Sequence, residues 1–150
     1  MDNRTIHKQG MMNSGWVGVY RTVSFSLAII FGLVGLLFLF VPERVLLFFN
    51  NLSPLTGFQK SPVHSSSLFV ILAAGYMYLV TILAYGMYKN PEQRVYPLLL
   101  VHGKTASSLL SLFFFVFFMP SLIFLANGLI DGLIALSVFL LSHKIRGLLT

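Results

Sequence analysis

Two charged residues stand inside otherwise apolar stretches, and any chemistry would start with them. Asp131 sits in Leu129-Ile130-Asp131-Gly132-Leu133, and Lys104 in Val101-His102-Gly103-Lys104-Thr105. On insertion scales an Asp or Lys at the centre of a membrane helix costs roughly 2.5–3.5 kcal/mol. Such a residue is expected to face a partner, a cavity or the bundle interior, not lipid. Asn127 precedes Asp131 by one helical turn on the same face. Ser107, Ser108 and Ser111 follow Lys104 at i+3, i+4 and i+7 and extend it into a polar stripe. His102 falls on another face, with Thr105 beside it.

The two stretches are joined only by Met119-Pro120-Ser121, so they must form an antiparallel hairpin. Facing residue numbers then sum to about 240. Asp131 lies level with Leu109, and Lys104 sits roughly 7–8 Å lower at about 1.5 Å per residue. The spacing predicts an intramembrane cluster of Lys104 and Asp131 bridged by Ser108, with Asn127 and His102 as further polar members. Such a cluster has several uses. It can be a buried ion pair that fixes helix register. Alternatively Lys104 snorkels to the interface, and a protonated Asp131 bonds Asn127. It can relay a proton or cation, bind a head group such as a quinone's, or supply Asp131 and His102 as acid and base for a membrane-soluble substrate.

Histidine placement speaks against haem, which wants two histidines at one height on facing helices. His102 pairs in height with about residue 138, His143 lies at the membrane edge, His64 on the opposite side and His7 in the tail. No two histidines share the i, i+3 or i, i+4 spacing of a metal site. No phosphate-binding glycine loop, nucleophile elbow or His-Glu-x-x-His occurs. The expectation is a non-enzyme with no metal, its cofactor unknown apart from the quinone option.

The elements that hold these groups are legible from composition. Of the 150 residues 57% are hydrophobic and 9% charged, with mean hydropathy +0.86. Soluble domains carry roughly 25% charged residues. Four apolar segments are long enough to cross a bilayer, at about 22–41, 68–88, 96–119 and 121–141. Continuous apolar runs of this length must be helices, because open strands leave backbone groups unpaired in lipid. The predicted fold is an all-α, four-helix transmembrane bundle forming one domain. Residues 1–20 read as a polar tail ending in the interfacial aromatics Trp16 and Tyr20, or else as an ordered docking segment. Pro42 and Glu43 start a short interfacial helix over 43–50, after which Asn50, Asn51, Ser53, Pro54 and Gly57 mark turns. Ser65, Ser66 or Ser67 is expected to cap the second span.

The net charge is +6, but the basic residues flank the spans, which indicates membrane topology and anionic lipid, with no nucleic-acid partner. Arg4, Lys8, Arg21, Lys89, Arg94, Lys144 and Arg146 fall on one side, Arg44 and Lys60 on the other. The positive-inside rule puts both termini in the cytoplasm. The absence of cysteine excludes disulfides, thiolate metal sites and a cysteine nucleophile.

Small residues add a packing signal. Ser24, Ala28 and Gly32 recur every fourth residue, with Gly35 beyond, and Gly128 and Gly132 flank Asp131. Such stripes let backbones approach closely, within this bundle or against another copy or subunit. In the second span Ala74, Tyr78, Thr81 and Tyr85 share a face, whose hydroxyls are expected to meet the Lys104 cluster from the cytoplasmic half.

The layout resembles the DoxX-like group of small four-span membrane proteins. The resemblance rests on Arg21, the run Phe31-Gly32-Leu33-Val34-Gly35-Leu36-Leu37, and Pro42-Glu43, together with length and span count. It implies an accessory subunit of a quinone-linked respiratory enzyme and carries over no catalytic residue. The leading expectation is a non-catalytic multi-pass subunit of a larger membrane complex, linked to quinones or electron transfer, in a cell membrane, foremost the bacterial inner membrane. Its partners are lipid and other subunits or further copies of itself. The rival is a small oligomeric carrier coupled to a proton or cation through Asp131 and Lys104.

Overall fold

A computed structural model describes residues 3–62 and 67–149, with side chains over 15–62 and 69–145. His64, the side chain of His7 and the expected cap at Ser65, Ser66 or Ser67 lie outside what is described. The helices are α1 (Asn3–Phe40), α2 (Pro42–Thr56), α3 (Ser67–Lys89), α4 (Val95–Phe117) and α5 (Leu122–Leu149). Four stretches are long and apolar enough to span a bilayer: Gly15–Phe40, Phe69–Lys89, Val95–Phe117 and Leu122–Ile145. The only strand-like pairing among the described residues is an isolated bridge between Gln59 and Ser121.

Large apolar side chains point outward along every span; Phe69, Val116 and Phe117 are each about two-thirds exposed. Lipid, not water, is the solvent that tolerates such a surface. Inside, α1 packs chiefly on α3, and α4 on α5. The two pairs join through α3 and α4 and touch more sparsely through α1 and α5. In the first pair an ideal Cβ at Gly35 would stand 3.0 Å from Met77 Cβ, and one at Gly32 3.9 Å from Thr81 Cγ2. Ser24 and Ala28 are buried along the same line. In the second pair a Cβ at Gly128 would meet Leu112 Cγ at 2.8 Å, and one at Gly132 would meet Ser108 Oγ at 3.0 Å. The small-residue stripes are thus occupied within the bundle.

Helix boundaries depart from expectation in three places. α1 begins far upstream of residue 22, and Tyr20, expected as an interfacial anchor, is buried in the core. Trp16 stacks on the other terminus, with Lys144 Nζ 3.3 Å from its ring centroid. This contact places the start of the first span and the end of the last on one side of the bundle. α2 runs through Asn50, Asn51, Ser53 and Pro54, all expected as turn residues. Pro54 removes one backbone donor from the last turn. The Ser53 and Thr56 hydroxyls bond the carbonyls of Phe49 and Ser53 there, and the chain turns only at Gly57, with φ 72°. α5 continues well past residue 141, burying Ser142 and Ile145.

At the side opposite the termini, α2 and the segment after it close the bundle. The Asn50 amide clasps the Ser61 backbone in both directions, donating to its carbonyl at 2.8 Å and accepting from its N–H at 2.7 Å. The Gln59 N–H donates to Pro120 O at 3.0 Å, tying this segment to the tip of the α4–α5 hairpin.

Candidate functional site

Lys104 and Asp131 meet where all four spans converge. Lys104 Nζ lies 2.7 Å from Asp131 Oδ1, and both side chains are almost wholly buried, at 3% and 4% exposure. The ammonium also sits 4.7 Å from the Phe31 ring centroid and 5.1 Å from that of Tyr76. α1 and α3 thus supply aromatic faces to a cation that α5 neutralises. Ring faces attract cations most strongly where water is excluded. This geometry does not match the snorkelling arrangement, because the lysine head points to its partner and not to the interface.

Ser108 does not bridge the pair. Its hydroxyl donates to Gly128 O at 2.7 Å, because two glycines leave the α5 backbone bare where Ser108 presses on it. Asn127 likewise turns to the serine stripe, its amide nitrogen 2.7 Å from Ser111 Oγ and 3.3 Å from Ser107 Oγ. Both residues therefore staple α4 to α5 beside the ion pair.

His102 lies apart from the cluster. It is exposed, and its Nδ1 is 2.8 Å from Leu98 O, one turn back on its own helix. An acid–base couple of Asp131 and His102 is not assembled. Nor do the expected α3 hydroxyls arrive: Tyr78 and Tyr85 are largely exposed, and Thr81 donates to Met77 O at 2.7 Å. The α3 tyrosine that reaches the pair is Tyr76, whose hydroxyl is buried beside Asp131 and Ser107.

A cavity of about 290 Å³ opens on the pair from the sparse α1–α5 seam. Val34 and Phe38 of α1, Val45 and Phe49 of α2, and Ile123 and Ile134 of α5 are among its walls, while Lys104, Asp131 and Asn127 supply its polar lining. It lies on the α2 side of the pair. Toward the termini the interior is filled by Tyr20, Met87, Leu100 and Val138, each at most 1% exposed. A second hollow of about 280 Å³ lies on the α4–α5 hairpin toward the termini, lined by Val101, Thr105, Ala135 and Phe139 among others. The ionised-pair geometry leaves two polar atoms over, Asp131 Oδ2 and the Tyr76 hydroxyl. Both are buried with no hydrogen-bond partner among the described residues.

No protein-family model, curated protein or solved structure matches the chain. Fold and site define a class: an integral, multi-pass membrane protein with four helical spans, its costly polar groups gathered at their common crossing.

Proposed function

We propose that this protein is a non-catalytic membrane subunit that holds a lipid-soluble, quinone-type molecule for a larger membrane complex. One observation carries the reading: an apolar cavity at the α1–α5 seam ends on a buried ion pair with an unused carboxylate oxygen. Ligand sites are mostly apolar with a few convergent polar groups, and this cavity has that make-up. Its contents would come from the bilayer, since Val45 and Phe49 of α2 line one end of it and the half-exposed Ile30 and Ile130 stand at its rim between spans. The DoxX-like resemblance, the bacterial inner membrane and an orientation with both termini cytoplasmic belong to the same proposal.

Mild-detergent purification with native mass measurement tests it. The chain should travel with at least one other membrane protein and with a small molecule that the cavity-filling change Ala126→Phe removes. A lone monomer carrying no small molecule in either form would refute it.

The carrier reading has Asp131 Oδ2 on its side, as an atom free to take up a proton or cation. The filled interior toward the termini weighs against it. Equal proton-coupled fluxes for wild type and Asp131→Asn in proteoliposomes would remove Asp131 from any relay.

A further inference from the structure

The α3 face of Ala74, Tyr78, Thr81 and Tyr85 plays no part at the ion pair. It looks outward instead: Tyr78 is 68% exposed and Tyr85 46%. Ala74, Tyr78 and Thr81, with Ala28, Gly32 and Leu36 of α1, line a hollow of about 440 Å³ along the α1–α3 seam. Its lining shares only Phe31 with that of the α1–α5 cavity.

Toward the termini the seam passes from rings to charge. Phe25 and Tyr88 meet across it with ring centroids 5.1 Å apart, and Tyr85 stands 6.1 Å from Tyr88. Lys89 reaches back over the Tyr85 ring, its Nζ 5.7 Å from the centroid. Arg21 precedes Phe25 by one turn on the same face of α1. It therefore stands roughly 6 Å nearer the water, at about 1.5 Å per residue. Arg21 and Lys89 are both exposed. Neither has a carboxylate partner, because Lys104–Asp131 is the one ion pair among the described residues. Glu92, in the turn between α3 and α4, pairs with neither.

This sequence of groups matches a phospholipid read from its head inward. Arginine and lysine bind phosphate through charge-assisted hydrogen bonds. Tyrosine rings settle at headgroup level. The apolar hollow continues from there into the bilayer. A second copy fits the same face poorly: a two-fold contact presents one patch to itself, so Arg21 and Lys89 would meet their own like charges.

We infer that the α1–α3 edge holds one anionic phospholipid, its phosphate at Arg21 and Lys89 and an acyl chain in the hollow beside Gly32 and Ala74. This site is independent of the ligand-holding cavity, and either can fail without the other.

The full chain in mild detergent is offered equal amounts of phosphatidylglycerol and phosphatidylcholine with identical acyl chains, and retained lipid is read by native mass measurement. Near a membrane surface each basic residue is worth about 5-fold in affinity for anionic lipid. The wild type should therefore retain one phosphatidylglycerol with a preference of about 10-fold or more. Arg21→Gln combined with Lys89→Gln should bring the two lipids to parity. Lys144→Gln makes a charge change of the same kind beside Trp16, at the α1–α5 corner, and should leave the preference in place. Ala74→Leu narrows the hollow and should lower retention of both lipids. Equal retention by the wild type overturns the inference. So does a preference that Lys144→Gln lowers as much as the Arg21 and Lys89 changes do, since that is diffuse attraction to the whole basic side. Retention unchanged by Ala74→Leu removes the acyl chain from the hollow, and a mass of two chains without lipid assigns the face to a second copy; both overturn it. Arg21, Lys89 and Lys144 are exposed and Ala74 is half-buried, so the fold should survive these changes, and the wild-type comparison decides without them.

Discussion

The Lys104–Asp131 pair should be stable only as a pair. At 2.7 Å two unit charges attract by about 6 kcal/mol at an effective dielectric constant near 20. Much of that is offset by taking both out of water. Removing one member forfeits the attraction and leaves the other charge walled in, which typically costs about 3–5 kcal/mol; exchanging both for apolar side chains of similar volume is often neutral or stabilising. Lys104→Met and Asp131→Leu should therefore each lose about 3–5 kcal/mol, while the double variant should fall within about 1 kcal/mol of wild type. Unfolding by titrated SDS in mixed micelles, followed by far-ultraviolet circular dichroism, measures all four proteins. Losses that simply add in the double variant, or single losses below about 1 kcal/mol, would show that the two side chains do not neutralise one another.

Three further outcomes follow from the packing and topology. Gly35→Leu drives a side chain into Met77, whose Cβ already lies 3.0 Å from an ideal Cβ at that position; it should destabilise by about 1–3 kcal/mol in the same assay, whereas Gly75→Ala, with nothing within 4 Å of its Cβ, should be neutral or stabilising. Asn50→Ala removes both hydrogen bonds to the Ser61 backbone and should speed amide exchange at Ser61, with a stability loss of about 1–3 kcal/mol; unchanged exchange would mean the clasp does not hold that segment. Because the chain has no cysteine, Gln59→Cys and Glu92→Cys can each be labelled alone. In spheroplasts a membrane-impermeant maleimide should modify position 59 and spare position 92, and the reverse pattern would invert the cytoplasmic assignment of the termini.

Most of the hairpin was legible because its residues are expensive. A lysine and an aspartate inside apolar runs must find each other, and a three-residue connection leaves one way to arrange the runs. Span count followed from the same expense, since charged residues other than Lys104 and Asp131 fall between the crossings or near their edges. The aromatic walls were not legible: Phe31 and Tyr76 are two of many rings that sequence alone cannot sort into lipid-facing and core-facing. His102 was misjudged because a polar type inside a span suggested the cluster, yet its own helix satisfies one ring nitrogen at Leu98. The turn residues of α2 misled for a related reason: Ser53 and Thr56 side chains serve helix carbonyls, and Asn50 reaches a distant strand of backbone, none of which local propensity records. The cavity could not be foreseen at all, because it arises from loose contact between the first and last spans, which no local pattern encodes.

The short connection between α4 and α5 also governs biogenesis. During synthesis α4 is complete before α5 exists, and Lys104 would then face the bilayer without its counter-ion, at a cost of roughly 2.5–3.5 kcal/mol. Only the four residues 118–121 separate the two helices. Lateral exit of the two as one hairpin lets Asp131 cancel that cost before lipid closes around either helix. α1 and α3 have no such requirement; their spans carry no charge deep in the bilayer and can leave the translocon singly. The order of membrane integration is thus written into the chain, with the polar half delayed until its last helix has been made.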